Sequence, residues 1–367
     1  MIDRLILPIP ECHNYRLSHV AVTGTVIDLF CGSGGVTTGL KAAGWKILAA
    51  VDNDPVAART YRTNHPEVIL LEEDIRDESI GARLGAATGH AAVDLMVVCA
   101  PCQPFSSQNR SGKADSRDQL IVRSVALVEF IRPRLVFFEN VPGLASPRHS
   151  AILHELTDRI AGLGYHISGP LVRDAADFGV PQRRRRCIML ASRCREAVEL
   201  FKALDLSAPR RSVLDAIGDL APLGPGEQSQ TDSLHRARQH STLALQRLRA
   251  IPRDGGSRRS LPPALRLACH SDDSSFPDVY GRMSWSTVAP TLTTGCTDVT
   301  KGRFAHPEQD RSITPREAAR LQTFPDEYAF IGNSTQLARQ IGNAVPPLMI
   351  TKLAQGFRAA LDLSVEC

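Results

Sequence analysis

The sequence predicts an α/β fold: an open, mostly parallel sheet covered by helices on both faces, with a smaller segment inserted late in the chain. Three observations carry this. Short apolar, β-branched runs alternate with helical stretches through the first half. The later runs are apolar almost without interruption, as strands buried on both faces are. From about 193 to 285 the pattern gives way to Arg-, Pro-, Gly- and Ser-rich sequence of weak periodicity, and regularity then returns.

Taken in order, "TVIDLF" (25–30) is a strand ending in a glycine cluster, and the following helix is closed by Gly44. "KILAAVD" (46–52) is the next strand. The helix "PVAARTYRTN" (55–64) has Pro55 at its first position, where a missing N–H costs nothing. "VILLEED" (68–74), "DLMVVCA" (94–100) and "RLVFFEN" (134–140) read as further strands, and "QLIVRSVALVEFI" (119–131) as a helix between them. "TPREAARLQTF" (314–324) opens with a capping box, Thr314 to Glu317, and Pro315 at its first position. These elements divide the chain into an extension (1–22), a sheet domain (23–192), an inserted domain (193–283) and a return to the sheet domain (284–367).

Composition narrows the class. A chain of 367 residues, 43% hydrophobic and 22% charged, buries a sizeable core, which excludes wholesale disorder. No apolar run is long enough to span a bilayer, and the N-terminal apolar patch is too short and too proline-broken for a signal peptide, so a cytoplasmic protein is expected. Nine irregularly spaced cysteines in such a chain predict reduced thiols, and their spacing supplies no zinc site, so no metal is expected. The net charge of +4 permits a nucleic-acid partner without requiring one.

Ligands of such sheets sit beyond the carboxyl ends of the strands. Asp28, Asp52, Asp74, Cys102 and Glu139 each close or just follow an apolar run. In the first turn, "DLFCGSGGVTTG", the third glycine of a G-x-G-x-x-G fingerprint falls on Thr37, which disfavours NAD or FAD. A ligand with adenosine and no phosphate fits, with Asp52 at the ribose diol. "VVCAPCQPFS" (97–106) raises a separate question, because Cys99 and Cys102 have redox-pair spacing. The helix that a redox motif needs is missing after it; Pro104 and a polar loop follow, so Cys102 reads as a lone thiolate and Cys99 as packing.

"DLFCGSGG" (28–35), "PCQPFS" (101–106), "FENVPGL" (138–144), "FGVPQRRRRCIML" (178–190), "REAARLQTFPDEY" (316–328) and "QIGNAVPP" (340–347) together resemble the bacterial type of DNA cytosine-5 methyltransferase family. The likeness covers roughly 20–192 and 284–360. It implies a Rossmann-like sheet dependent on S-adenosyl-L-methionine, with S-adenosyl-L-homocysteine as product. It also implies double-stranded DNA as partner, a monomer, and a cognate restriction endonuclease as companion. By it, Cys102 is the nucleophile toward carbon 6 of a flipped cytosine, Glu139 contacts ring nitrogen 3, Arg184 grips the cytosine carbonyl and Arg186 supports the site. Phe30, Gly32, Ser33, Gly35, Asp52, Asp74, Ile75, Pro101, Leu120, Asn343, Ala344 and Val345 line the methyl-donor site. Asp52 departs from the glutamate of many relatives. Ser106 and Gln108 fall in a loop that closes on DNA, and 193–283 corresponds to the target-recognition region, with Arg258 and Arg259 as candidate contacts. tRNA cytosine methylation and a catalytically silent DNA-binding relative are the rival readings.

Overall fold

A computed structural model describes residues 24–101, 119–267 and 278–364. The first half alternates as expected. β1 (Thr25–Leu29), α1 (Gly35–Ala42), β2 (Lys46–Val51), α2 (Pro55–Asn64) and β3 (Ile69–Leu71) lead to α3 (Ile80–Ala87) and β4 (Leu95–Val98), then α4 (Leu120–Ile131) and β5 (Leu135–Asn140). Gly44, at φ +83°, ends the turn after α1, and the Asp54 side chain caps α2 in front of Pro55. β3 is shorter than its apolar run predicts: it is an edge strand, and the acidic Glu72, Glu73 and Asp74 leave the ladder for the surface.

After β5 come α5 (Ser150–Gly162), β6 (His166–Ile167), β7 (Leu171–Asp174) and β8 (Arg185–Ser192). The sheet runs β3-β2-β1-β4-β5-β8-β6, with β7 also on β8. The pairings from β3 to β5 are parallel, whereas β8 runs antiparallel to β5, β6 and β7. The chain moves outward from β1 to β3 and then returns to β4 on the other side of β1. The carboxyl ends of β1 and β4 therefore flank the point where the winding reverses, which is where open α/β sheets leave a crevice.

Two apolar layers sandwich the sheet. One packs Leu40, Phe137, Phe201 and Phe357 under α1, α6 (Arg195–Ala203) and α11 (Pro347–Leu363); the other packs Leu84, Ile121, Val128 and Phe138 under α3, α4 and α5. Strands covered on both faces account for the uninterrupted apolar runs. Beyond the sheet, α7 (Val213–Ile217), α9 (Pro315–Leu321) and α10 (Ser334–Asn343) share a third cluster, and α8 (Thr242–Ala250) belongs to a fourth with Tyr280 and Val299. The capping box of α9 is present, Thr314 and Glu317 each bonding the other's backbone N–H, though the helix stops at Leu321.

The expectation of reduced thiols holds for Cys31, Cys99, Cys187 and Cys296. It fails at Cys194, which is disulfide-bonded. No helix among the described residues is long and apolar enough to cross a membrane.

Candidate active site

The turn after β1 is built for close approach. Phe30, Gly32 and Gly34 all adopt left-handed backbone, at φ +60°, +53° and +92°. For Phe30 this conformation costs on the order of 1 kcal/mol, and such strain persists only where the surroundings impose it. A Cβ on Gly32 would meet no atom within 4 Å, so the turn leaves open space there. A Cβ on Gly35 would instead collide with the Val345 carbonyl. That contact joins the first turn to the far end of the chain, where Asn343 is exposed, Ala344 half-buried and Val345 buried.

Asp52 shapes the same turn from the end of β2. Its Oδ2 accepts from Gly32 N at 2.8 Å and its Oδ1 from Asp54 N at 2.8 Å, while burial pushes its pKa up. Asp74 is held well below the usual carboxylate range, at about 2, chiefly by hydrogen bonds from the Arg76 side chain, and Asn53 Nδ2 also donates to it at 3.2 Å. Ile75 and Leu120 are buried, and Pro101 is half-buried. Open space over Gly32, a neighbouring carboxylate and apolar flanks fit an adenosine-bearing ligand without phosphate.

Beneath the turn runs a buried polar chain. Thr37 Oγ1 donates to Asp28 Oδ2 at 2.9 Å and lies 2.8 Å from the Tyr61 hydroxyl. Asp28 is fully buried, its Oδ1 has no hydrogen-bond partner among the described residues, and burial raises its pKa to about 7. The Tyr328 hydroxyl donates to the Ser33 carbonyl and lies 3.2 Å from His65 Nε2. Tyr328 falls in the "FPDEY" block, but nothing in the spacing of that block announces a bond to residue 33.

Glu139, the penultimate residue of β5, is 6% exposed. Antiparallel pairing sets Glu139 opposite Ile188, so Arg186, two residues earlier on β8, shares its face as a diagonal neighbour, with Nε 2.7 Å from Oε1. Asn140 Nδ2 donates to the Ala100 carbonyl at 3.1 Å, tying the end of β5 to the segment that leads to Cys102. Sequence reasoning passed over Asn140; its place directly after Glu139 within "FENV" was the available signal. Cys102, Ser106 and Gln108 lie outside the described residues. Burial, and after it the Glu139 carboxylate, holds the Cys99 thiol protonated far above its ordinary range.

The arginine run alternates, as an extended segment must. Gln182, Arg184 and Arg186 are buried, whereas Arg183 and Arg185 face solvent. Arg184 reaches toward the later part of the chain. Its Nη1 donates to the Leu292 carbonyl at 3.0 Å and its Nη2 to the Gly342 carbonyl at 2.9 Å, so it braces the sheet domain against the later part of the chain. Arg186, expected to support the site, is the arginine paired with the Glu139 carboxylate. Of the other pair, Arg259 is exposed and Arg258 is buried.

A left-handed glycine turn after β1 and a carboxylate–arginine pair on β5 and β8 lie at the carboxyl-end side of the sheet around its reversal, the plan of an α/β group-transfer enzyme. Residues 24–358 match the family model of the C-5 cytosine-specific DNA methylases, and the chain belongs to that family, the DNA cytosine-5 methyltransferases. It is 36% identical over 348 residues to the Type II methylase M.HgiDII of Herpetosiphon aurantiacus, covering 93% of this chain and 97% of the relative. The Type II methyltransferase M1.HphI of Haemophilus parahaemolyticus is 32% identical, with 90% and 86% covered. Among solved structures, a prophage-encoded DNA modification methyltransferase from E. coli superposes with a TM-score of 0.70 at 26% identity, covering 92% of this chain and 99% of that one.

Proposed function

We propose that the protein methylates carbon 5 of a cytosine flipped out of a specific duplex DNA sequence, through a covalent adduct to Cys102. The observation that carries this reading is the buried Arg186–Glu139 pair next to Asn140, which bonds the Ala100 carbonyl two residues before Cys102.

In this reading the Cys102 thiolate adds to carbon 6 of the ring, which makes carbon 5 nucleophilic. Glu139, oriented by Arg186, shares a proton with ring nitrogen 3 as charge gathers there. Asp52, Phe30 and the backbone at Gly32, Ser33 and Gly35 would hold S-adenosyl-L-methionine, with Asp74, Ile75, Pro101, Leu120 and residues 343–345 around it. When bound, that cofactor supplies an electrophilic methyl group on a sulfonium and leaves as S-adenosyl-L-homocysteine. Loss of the carbon-5 proton to water and expulsion of Cys102 then restore the aromatic ring. Residues 193–283 serve target recognition, and the Type II names of the relatives support a restriction endonuclease as companion.

The test is Cys102→Ser, for which methyl transfer to duplex DNA is lost while cofactor binding is retained. Methylation at a near-normal rate in that variant would remove Cys102 from the mechanism. Trapping of the wild-type protein on DNA containing 5-fluorocytosine checks the adduct, and bisulfite sequencing of DNA from expressing cells reports the target.

A further inference from the structure

Three parts of the chain that lie far apart in sequence close on one buried amide. Gln322, directly after α9, is fully buried. Its Nε2 donates to the Ile341 carbonyl at 2.6 Å and to the Ala344 carbonyl at 3.1 Å, and its Oε1 accepts from Gln182 Nε2 at 2.8 Å. Both amide protons and the amide oxygen are therefore in use.

The carbonyls it meets belong to the last turn of α10 and the residue just beyond. Carbonyls at a helix C-terminus lack partners further along the helix and form its negative end, so donors from elsewhere settle there. Gln322 reaches two of them, and Arg184 Nη2 donates to a third, the Gly342 carbonyl, at 2.9 Å. Together they fix where α10 ends, and with it where 343–345 stand. Backbone presses on this segment from both sides: a Cβ on Gly342 would collide with the Thr293 carbonyl, and one on Gly35 with the Val345 carbonyl.

Gln182 anchors the other end. It is fully buried, its Nε2 also reaches the Leu321 carbonyl at 3.3 Å, and its Oε1 accepts from Leu292 N at 2.9 Å. Four residues further on, Arg186 pairs with Glu139. The Gln182–Gln322 hydrogen bond thus joins the segment that bears the carboxylate–arginine pair to the segment beside the glycine turn. We propose that Gln322 is a positioning residue that couples the two halves of the site, holding the 343–345 wall in register with the Gln182–Arg186 segment. Occupancy of the methyl-donor site then stiffens the segment that orients Glu139. The proposal rests on the reading of 343–345 as part of that donor site.

Hydrogen exchange of the full-length protein, with and without S-adenosyl-L-homocysteine, tests it. Added protection is expected at 33–35, at 344–345 and at the Leu292 amide, which lies beyond the Gln182–Gln322 bond. Protection at the first two places with Leu292 unchanged overturns the coupling and leaves the donor site standing. Protection at 33–35 alone overturns the wall and the coupling with it, and absence of binding overturns the donor site itself.

Variants give a second readout. Gln182→Met alters no contact to 341 or 344, yet is expected to weaken S-adenosyl-L-homocysteine by about 5-fold, the equivalent of one hydrogen bond. Gln322→Met should weaken it by at least about as much, with kcat at saturating cofactor falling too. Tyr165→Phe deletes a buried hydrogen bond to the Pro133 carbonyl, before the amino end of β5, and keeps the wild-type affinity. Wild-type affinity in Gln182→Met confines Gln322 to capping α10 and overturns the proposal; equal weakening in Tyr165→Phe overturns it by reducing the effect to general destabilisation.

Discussion

The Arg186 guanidinium meets the Glu139 carboxylate at 2.7 Å, with 9% and 8% of the two side chains exposed. Removing one member of a buried pair strands the other charge, at a cost of roughly 3–5 kcal/mol. Arg186→Ala is expected to lose about that much stability, and kcat by at least about 100-fold, because Glu139 is no longer oriented. Glu139→Gln leaves the Arg186 cation without its anion but keeps an oxygen that accepts from Arg186 Nε, so it should keep more stability while losing kcat. Chemical denaturation beside single-turnover kinetics checks both; equal kcat in wild type and Glu139→Gln would dismiss the pair from catalysis.

Arg184 predicts a different phenotype. Its charged hydrogen bonds run to two backbone carbonyls distant in sequence, each worth roughly 1.5–3 kcal/mol. Arg184→Ala should therefore destabilise the fold by about 3 kcal/mol or more. Near-wild-type stability with a defect confined to DNA turnover would instead return Arg184 to the substrate.

Tyr328 reaches from the C-terminal part of the chain to the Ser33 carbonyl in the glycine turn. Tyr328→Phe keeps the ring packing against Phe324 and Phe330 and deletes only the hydroxyl. Losing one hydrogen bond costs about 1 kcal/mol. The expected signature is a several-fold weaker affinity for S-adenosyl-L-homocysteine by calorimetry, with kcat at saturating cofactor little changed.

Asp28 ties stability to pH. Its folded pKa of about 7 lies above the value of about 4 in an unfolded chain, so between these the folded state holds a proton that the unfolded state has released. The contribution is complete below about pH 4 and is lost as pH rises toward 7, with a slope of up to about 1.4 kcal/mol per pH unit. Asp28→Asn keeps an acceptor for Thr37 and cannot titrate. Its unfolding free energy should fall less steeply between pH 5 and 7 than that of wild type; identical slopes would show Asp28 ionised throughout.

Cys99, held protonated by burial and by Glu139, is no second thiolate. Cys99→Ala is expected to keep methyl transfer within a few-fold, in contrast to Cys102→Ser. A loss as complete as that of Cys102→Ser would reopen the two-cysteine reading.

Much of the sheet was legible because strands buried on both faces write their apolar runs without interruption, and the caps at Asp54 and Thr314 are local chemistry. The elements after β5 were less so. β6 and β7 are held by pairing with β8 rather than by any pattern of their own. At the site, the residue types were readable and their partners were not: the arginine run named its members without saying which faced inward.

The sequence by itself determined the alternating α/β plan, the glycine turn, the acidic residues at the strand ends and the family. Only the tertiary structure decided that Arg186 pairs with Glu139, that Arg184 braces the Leu292 and Gly342 carbonyls, and that Tyr328 holds Ser33. Periodicity and capping act between residues a few positions apart and so leave a local trace. Antiparallel register and the return of the chain's far end join residues separated by tens to hundreds of positions, and no short stretch of sequence records which of them will meet.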